Sequence, residues 1–145
     1  MSLNGPIVLI DDDHDDLYLI KNILVDLHIP NELIFFQNGK QALDYLWVTQ
    51  DKPLLILCDM NMPIMTGLEL RDQIDVTPYL RNKSIPFIFL STAHDLHLIE
   101  EAYRSTIQGF YKKEHHYEAL KQNIDIIVRY WKACLHPNNI DPAER

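Results

Sequence analysis

Leu54-Leu55-Ile56-Leu57-Cys58 is an unbroken apolar run that closes on Asp59, passes through a short loop with Pro63 and Gly67, and gives way to Leu68, Leu70 and Ile74 at helical spacing. The run is too short for a typical helix, and its lack of alternation means burial on both faces. It is therefore expected to be a strand inside a parallel sheet. A carboxylate ending such a strand stands in the crevice at the sheet's carboxyl edge, where open α/β sheets hold their ligands. Taken alone, an aspartate after a strand is more simply a turn or helix cap.

The rest of the chain repeats the pattern. Ile7 to Ile10 is a short apolar strand that breaks into Asp11-Asp12-Asp13-His14-Asp15-Asp16, and a helix follows with Leu17, Ile20, Ile23, Leu24 and Leu27 on one face. Asp13 suits a helix cap, and Asp15 and Asp16 suit the positive end of the helix dipole. Asp11 and Asp12 are not explained this way: adjacent carboxylates at a strand end repel unless they share a cation or a proton.

Leu33 to Phe36 reads as a second strand, Asn38-Gly39 as a turn, and Ala42, Leu43 and Leu46 mark a second helix. Val76 to Ser84 reads as a polar loop with Pro78. Pro86 to Leu90 is the fourth strand, followed by Ser91-Thr92, and a helix with Leu96, Ile99 and Tyr103 leads to a last strand, Gly109 to Lys113. The final helix carries Leu120, Ile124, Ile127, Trp131 and Leu135. Five strands alternating with five helices predict an α/β fold with a doubly wound parallel sheet. With 145 residues and no linker or repeat, one domain over 1–145 is expected, its core about 6–135 and a polar tail at 136–145.

Charge and cysteine usage narrow the function. A formal net charge of -8 without a basic run argues against binding nucleic acid or an anionic membrane. Cys58 and Cys134 have no metal-ligand spacing and read as inert core thiols in a reducing compartment. No signal-peptide pattern precedes the first strand and no apolar run approaches membrane-spanning length, so a cytoplasmic location is expected.

In a sheet of this kind the first, third, fourth and fifth strands deliver their last residues to one edge. Those residues are Asp11 and Asp12, Asp59, Ser91 and Thr92, and Lys112 and Lys113. Oxygen-only ligands suit Mg²⁺, whereas zinc would want His or Cys. A metal, an ammonium and a hydroxyl around a nucleophilic carboxylate are what phosphoryl transfer needs.

With those residues in order the chain resembles the receiver domain of two-component response regulators, from Ile7 through the last helix. The resemblance is carried by the acidic pair Asp11-Asp12, by the D-x-x-x-P-x-x-x-G stretch from Asp59 through Pro63 to Gly67, by Ser91 after the fourth strand and by a lysine after the fifth. It implies the flavodoxin-like (CheY-like) strand order 2-1-3-4-5. It also implies that Asp59 accepts a phosphoryl group from a phosphohistidine of a sensor histidine kinase. Asp12 would bind Mg²⁺ directly and Asp11 through water, with Asp59 and the backbone carbonyl of Asn61 completing the protein ligands. Ser91 would be the hydroxyl that turns to the phosphoryl oxygen, Thr92 the small residue beside it, and Lys113, not Lys112, the phosphate's partner. Phe110 would be the aromatic switch that follows Ser91, or an ordinary core residue. Asn61 and Ala93 sit where the family adjusts hydrolysis.

Such a domain catalyses only its own phosphorylation and dephosphorylation, and passes its signal to a downstream protein target. The surface expected to switch is the fourth helix, fifth strand and fifth helix, which could also serve a homodimer. Tyr130 and Cys134 lie off the main apolar stripe of the last helix and mark a dimer face or a partly covered helix. Glu114 stands where most receivers carry proline after the lysine, often with a cis bond. The loop before the fourth strand, Trp131 and the Leu135-His136-Pro137 tail are similar to stand-alone receivers serving phytochrome-type kinases.

His14 and His94 fall near the expected site as exposed loop residues or as tuners of the phosphoryl group, and His115-His116 read as a solvated helix cap. Two rivals stand beside this reading. A haloacid-dehalogenase-type phosphatase would carry a second Asp where this chain has Asn61. A degenerate receiver binding a partner without phosphorylation would have no reason to keep Asp11, Asp12, Asp59, Ser91 and Lys113 together.

Overall fold

The short apolar runs pair side by side in parallel. In the computed structural model, which describes residues 4–140, β1 (Ile7–Ile10), β2 (Leu33–Phe36), β3 (Leu55–Cys58), β4 (Phe87–Ser91) and β5 (Gly109–Lys112) form one sheet in the order β2-β1-β3-β4-β5. This is the expected doubly wound α/β architecture. The outermost residues of the expected 1–145 domain, at 1–3 and 141–145 of its tail, lie outside the described residues.

Six helices are described, one more than the apolar pattern predicts: α1 (His14–Asp26), α2 (Gly39–Val48), α3 (Gly67–Val76), α4 (Pro78–Arg81), α5 (Leu96–Arg104) and α6 (Tyr117–Ala133). The expected fourth and fifth helices are thus α5 and α6. The extra one, α4, occupies the stretch expected to be a polar loop. Pro78 at the first helical position supplies a preset φ and lacks only an N–H that would have gone unpaired. Asn38-Gly39, expected as a turn, instead opens α2, where the Asn38 side chain accepts from the Gln41 N–H.

Alternation along the strands splits the core into two layers. Leu9, Leu57 and Ile88 face α1 and α6, meeting Ile20, Leu24, Ile124 and Ile127. Ile10, Ile56, Phe87 and Phe89 face α2, α3, α4 and α5, meeting Leu46, Leu70, Leu80 and Ala102. Each fully buried side chain of this size contributes about 1.5–3 kcal/mol, against about 1 kcal/mol for a helix cap. The apolar layers therefore decide the architecture, and the caps set where elements begin. Asp13 caps α1 by accepting from Asp15 and Asp16 N–H, and Thr66 with Glu69 forms a reciprocal capping box on α3.

Two helix faces differ from expectation. In α5 the buried residue is Ala102, with Leu98 beside it, while Leu96 and Tyr103 are exposed. The phase is set by the Leu98–Ala102 spacing of four, which turns Leu96 outward. Leu135 lies past the end of α6 and is exposed. No helix among the described residues is long and apolar enough to cross a membrane.

Candidate functional site

Strand register brings the site together. Ile10 pairs with Cys58, and Cys58 with Phe89, so the residues that follow emerge level with one another. The backbone ladder then runs one step further: Asp59 N–H donates to Ile10 O at 2.9 Å, Asp11 N–H to Phe36 O at 3.0 Å and Lys113 N–H to Ser91 O at 2.7 Å. Asp11, Asp59 and Lys113 are therefore anchored by the sheet, although each lies outside its strand.

The loop after Asp59 is held close to it. Gly67 N–H donates to Met60 O at 2.9 Å, and a Cβ at Gly67 would lie 2.4 Å from Asp59 O and 2.7 Å from the Phe89 ring. Only glycine fits there. At the loop's tip Met65 N–H reaches back to Pro63 O at 2.7 Å, with Ile64 at φ 70°, a strained γ-turn for a β-branched residue.

The side chains converge. Carboxylate oxygens of Asp11, Asp12 and Asp59 lie within 4.8 Å of one another. Lys113 Nζ is 2.5 Å from Asp11 Oδ2, 3.0 Å from Asp16 Oδ2 and 3.8 Å from Asp59 Oδ1. Asp11, Asp59 and Lys113 are 3%, 9% and 5% exposed, whereas Asp12 is open to solvent.

Burial dominates the electrostatics. It pushes the Asp59 carboxyl up to about 6, against the pull of Lys113 and with the push of Asp11. It also raises the Asp11 carboxyl despite the hydrogen bonds from Lys113 and Asp13. For Lys113 burial acts downward, but Asp11, Asp59 and Asp16 outweigh it and hold the ammonium above its usual range. Four carboxylates against one ammonium leave a surplus of negative charge. Asp11, Asp12 and Asp59 form a hard, oxygen-only donor set that fits a divalent cation of the Mg²⁺ or Mn²⁺ type.

The other expected residues sort as follows. Ser91 ends β4, is fully buried, and its Oγ accepts from Ala93 N–H at 3.2 Å. Thr92 is exposed and Ala93 half-buried. Asn61 is exposed on the loop two residues past Asp59. Lys112 is exposed, so of the two lysines it is Lys113 that enters the cluster. Phe110 is half-buried on the α2–α5 side, its ring centroid 6.0 Å from that of Phe89. No described peptide is cis, including the one after Lys113.

His14 opens α1, with its ring 3.2 Å from the Gln37 amide, while His94 is exposed. His116 occupies the N-cap position of α6. Cys58 is buried with its thiol pushed well up by burial, and neither cysteine is in a disulfide.

Asp16 is the member that sequence reasoning missed. Its place in the first helical turn explained it as a dipole residue, and its bond to Lys113 spans 97 positions. The available signal was its spacing of five from Asp11, which brings a side chain of the first turn back over the strand end.

Comparison with known proteins adds independent findings. The response regulator receiver domain model matches residues 7–125. The response regulator Rcp1 of Synechocystis sp. is 28% identical over 130 residues, covering 86% of this chain and 87% of its own. The probable methanogenesis regulatory protein FilR2 of Methanothrix harundinacea is 28% identical over 129 residues, covering 86% and 82%. Among solved structures, the phosphorylated cyanobacterial phytochrome response regulator RcpA superposes with a TM-score of 0.81 at 27% identity, over 92% of this chain and 97% of that one. The Mn²⁺-bound form of Rcp1 gives 0.77 at 26%, over 91% and 97%. A strand-edge acidic cluster with a buried lysine, in this strand order and with these relatives, places the chain in the response regulator receiver domain family, the phosphoryl-accepting modules of two-component signalling.

Proposed function

We propose that this chain accepts a phosphoryl group on Asp59 from a phosphohistidine of a sensor histidine kinase, in a Mg²⁺-dependent reaction, and relays the change to a downstream protein. The observation that carries the reading is the convergence of Asp11, Asp12, Asp59 and Lys113 on one edge. The likeness to cyanobacterial phytochrome response regulators over some nine-tenths of the chain favours a phytochrome-type kinase as donor.

Asp11, Asp12, Asp59 and the backbone carbonyl of Asn61 would hold Mg²⁺, which when bound supplies charge neutralisation at the phosphoryl oxygens. An Asp59 carboxylate oxygen attacks phosphorus. The O–P bond forms, the P–N bond breaks, and the imidazole keeps its electron pair. Lys113, held between Asp11 and Asp16, needs to close only part of the 3.8 Å to Asp59 to pair with the new phosphoryl oxygens. Ser91 would give up its contact with Ala93 N–H to donate its hydroxyl hydrogen to one of them. Ala93 adds no polar group that could hold an attacking water, and Thr92 stands exposed beside it. The chain thereby catalyses only its own modification and its reversal.

Phosphorylation would bias an existing equilibrium at α5, β5 and α6, with Phe110 as the ring that follows Ser91. That face exposes Tyr103, Ile126 and Tyr130 to a target or to a second copy. The test is incubation with acetyl phosphate and Mg²⁺, read by intact mass. Wild type should gain one phosphoryl group and Asp59→Ala none. An unmodified wild type, or equal labelling of Asp59→Ala, would end the proposal.

A further inference from the structure

The Lys113 ammonium carries three N–H donors, and two of them go to carboxylates other than Asp59. Asp11 Oδ2 takes one at 2.5 Å and Asp16 Oδ2 another at 3.0 Å. Asp59 Oδ1, at 3.8 Å, lies beyond the roughly 3.2 Å of an ordinary N–H···O bond. The ammonium is therefore drawn toward α1 and off the carboxylate that is to attack phosphorus.

Asp16 is fixed where it stands. Asp11 Oδ1 accepts from Asp13 N–H at 3.0 Å, and Asp13 Oδ1 in turn accepts from Asp15 N–H at 2.9 Å and Asp16 N–H at 3.3 Å. With Lys113 bridging Asp16 and Asp11, these bonds close into a ring that runs Asp11, Asp13, Asp16, Lys113 and back to Asp11. Lys113 is buried and its own backbone N–H is held by Ser91 O at 2.7 Å, so the ammonium has little freedom outside that ring.

Charge alone does not account for this choice of partner. Attraction is less screened toward the more buried carboxylate, yet the second bond goes to Asp16, whose side chain is 25% exposed, and not to Asp59, at 11%. The first turn of α1 decides it. The consequence is chemical: a carboxylate oxygen that accepts a hydrogen bond from an ammonium has a lone pair engaged, whereas attack on phosphorus needs one free. An ammonium 3.8 Å away leaves the carboxylate free and still stands within reach of the oxygens of a phosphoryl group built out from it.

We propose that Asp16 is a positioning residue, which by taking one Lys113 N–H keeps the ammonium from hydrogen-bonding the Asp59 nucleophile; this rests on the phosphoryl-accepting reading and deepens it. Without Asp16 the released, buried N–H turns to Asp59, the remaining carboxylate within salt-bridge reach. Removing Asp16 also removes a negative charge, which eases the approach of an anionic donor. The two effects separate in kinetics, because the charge acts on donor binding and the tether on the attack.

The test sets Asp16→Ala against Asp15→Ala, which removes the same charge from an exposed neighbour. Labelling by acetyl phosphate is followed against donor concentration at saturating Mg²⁺. Asp16→Ala should lower the maximal rate at least about fivefold, the scale of one charge-assisted hydrogen bond on the nucleophile, without raising the half-saturating donor concentration. Asp15→Ala should stay within about twofold of wild type. A metal-free crystal structure of Asp16→Ala needs neither donor nor cation, and in it Lys113 Nζ should come within about 3.2 Å of an Asp59 oxygen. Lys113 Nζ remaining more than about 3.5 Å from Asp59, an unchanged maximal rate, a loss confined to donor half-saturation, or an equal fall in Asp15→Ala would each overturn the role of Asp16. A wild type that takes no label ends the phosphoryl-accepting reading and this inference with it, whereas a labelled wild type beside a failed variant result overturns the inference alone.

Discussion

Two buried cations stand at opposite edges of the same sheet, and their surroundings are mismatched in opposite senses. Lys113 at the carboxyl edge has Asp11, Asp16 and Asp59 within salt-bridge reach, and Asp12 clusters with two of them. Among the described residues, Arg71 at the amino edge has Asp75 alone as a salt-bridge partner and keeps an N–H without an acceptor. Burying a charge is costly unless it is paired, so a surplus on either side of a pair is an unmet demand. The surplus at the carboxyl edge calls for a further cation, whereas the spare N–H at the amino edge is closed off from solvent. The comparison teaches that an imbalance around a buried ion pair marks a place for a ligand only where the surplus groups can be reached, as at Asp11, Asp12 and Asp59.

Removing each cation in turn is the most direct way to break that contrast. Lys113→Met should destabilise the metal-free protein by about 3 kcal/mol near neutral pH, because Asp11 and Asp59 are left buried without a counter-charge. Urea melts measure this, and a loss below about 1 kcal/mol would mean that Lys113 is not what compensates the cluster.

Asp59→Asn acts on the other side of the same site and should stabilise the metal-free protein by about 1–2 kcal/mol near neutral pH. Burial lifts the Asp59 carboxyl to about 6, above the unfolded value of about 3.9. The folded chain thus holds a proton that the unfolded chain has released. The group's contribution is fully present below about pH 4 and is lost as pH rises through about 6. The advantage of Asn should accordingly fade on acidification through that window, followed as melting midpoint against pH. An advantage independent of pH would remove burial of the carboxylate as its cause.

The smallest effect is expected at the other pole. Arg71→Met should change stability by less than about 1 kcal/mol, since the substitution removes an under-paired guanidinium together with its desolvation and refills the volume. Asp75, more open to water, keeps its bond to Thr106. A destabilisation in chemical melts as large as that of Lys113→Met would erase the difference between the edges.

Much of the carboxyl-edge site is legible along the chain, because in a parallel sheet the last residues of β1, β3, β4 and β5 must share one edge whatever the details. Asp11, Asp59 and Ser91 are readable from apolar runs and the residues that stop them, and Lys113 from the family resemblance. Asp16 is not, since nothing local distinguishes a dipole residue from one that turns back to a lysine on a distant strand. The α5 face is misread for a related reason. Leu96, Ile99 and Tyr103 have helical spacing, but Leu98 and Ala102 have it too, and only the neighbouring sheet selects which phase is buried. The amino edge is illegible altogether: Arg71, Arg81, Lys83 and Trp131, which line one cavity of about 340 Å³ there, come from three helices and a loop with no shared period.

The sequence by itself determined the alternation of strands and helices, the strand order through its family resemblance, and the carboxylates, hydroxyl and ammonium that meet at one edge. Those follow from short-range periodicity and from the direction a parallel strand must run. The tertiary structure alone decided that Asp16 joins the acidic cluster, that α4 occupies an expected polar loop, and that Arg71 is buried with a donor to spare. Such matters depend on desolvation and on distances between residues far apart in the chain, and neither quantity is written in the order of the residues.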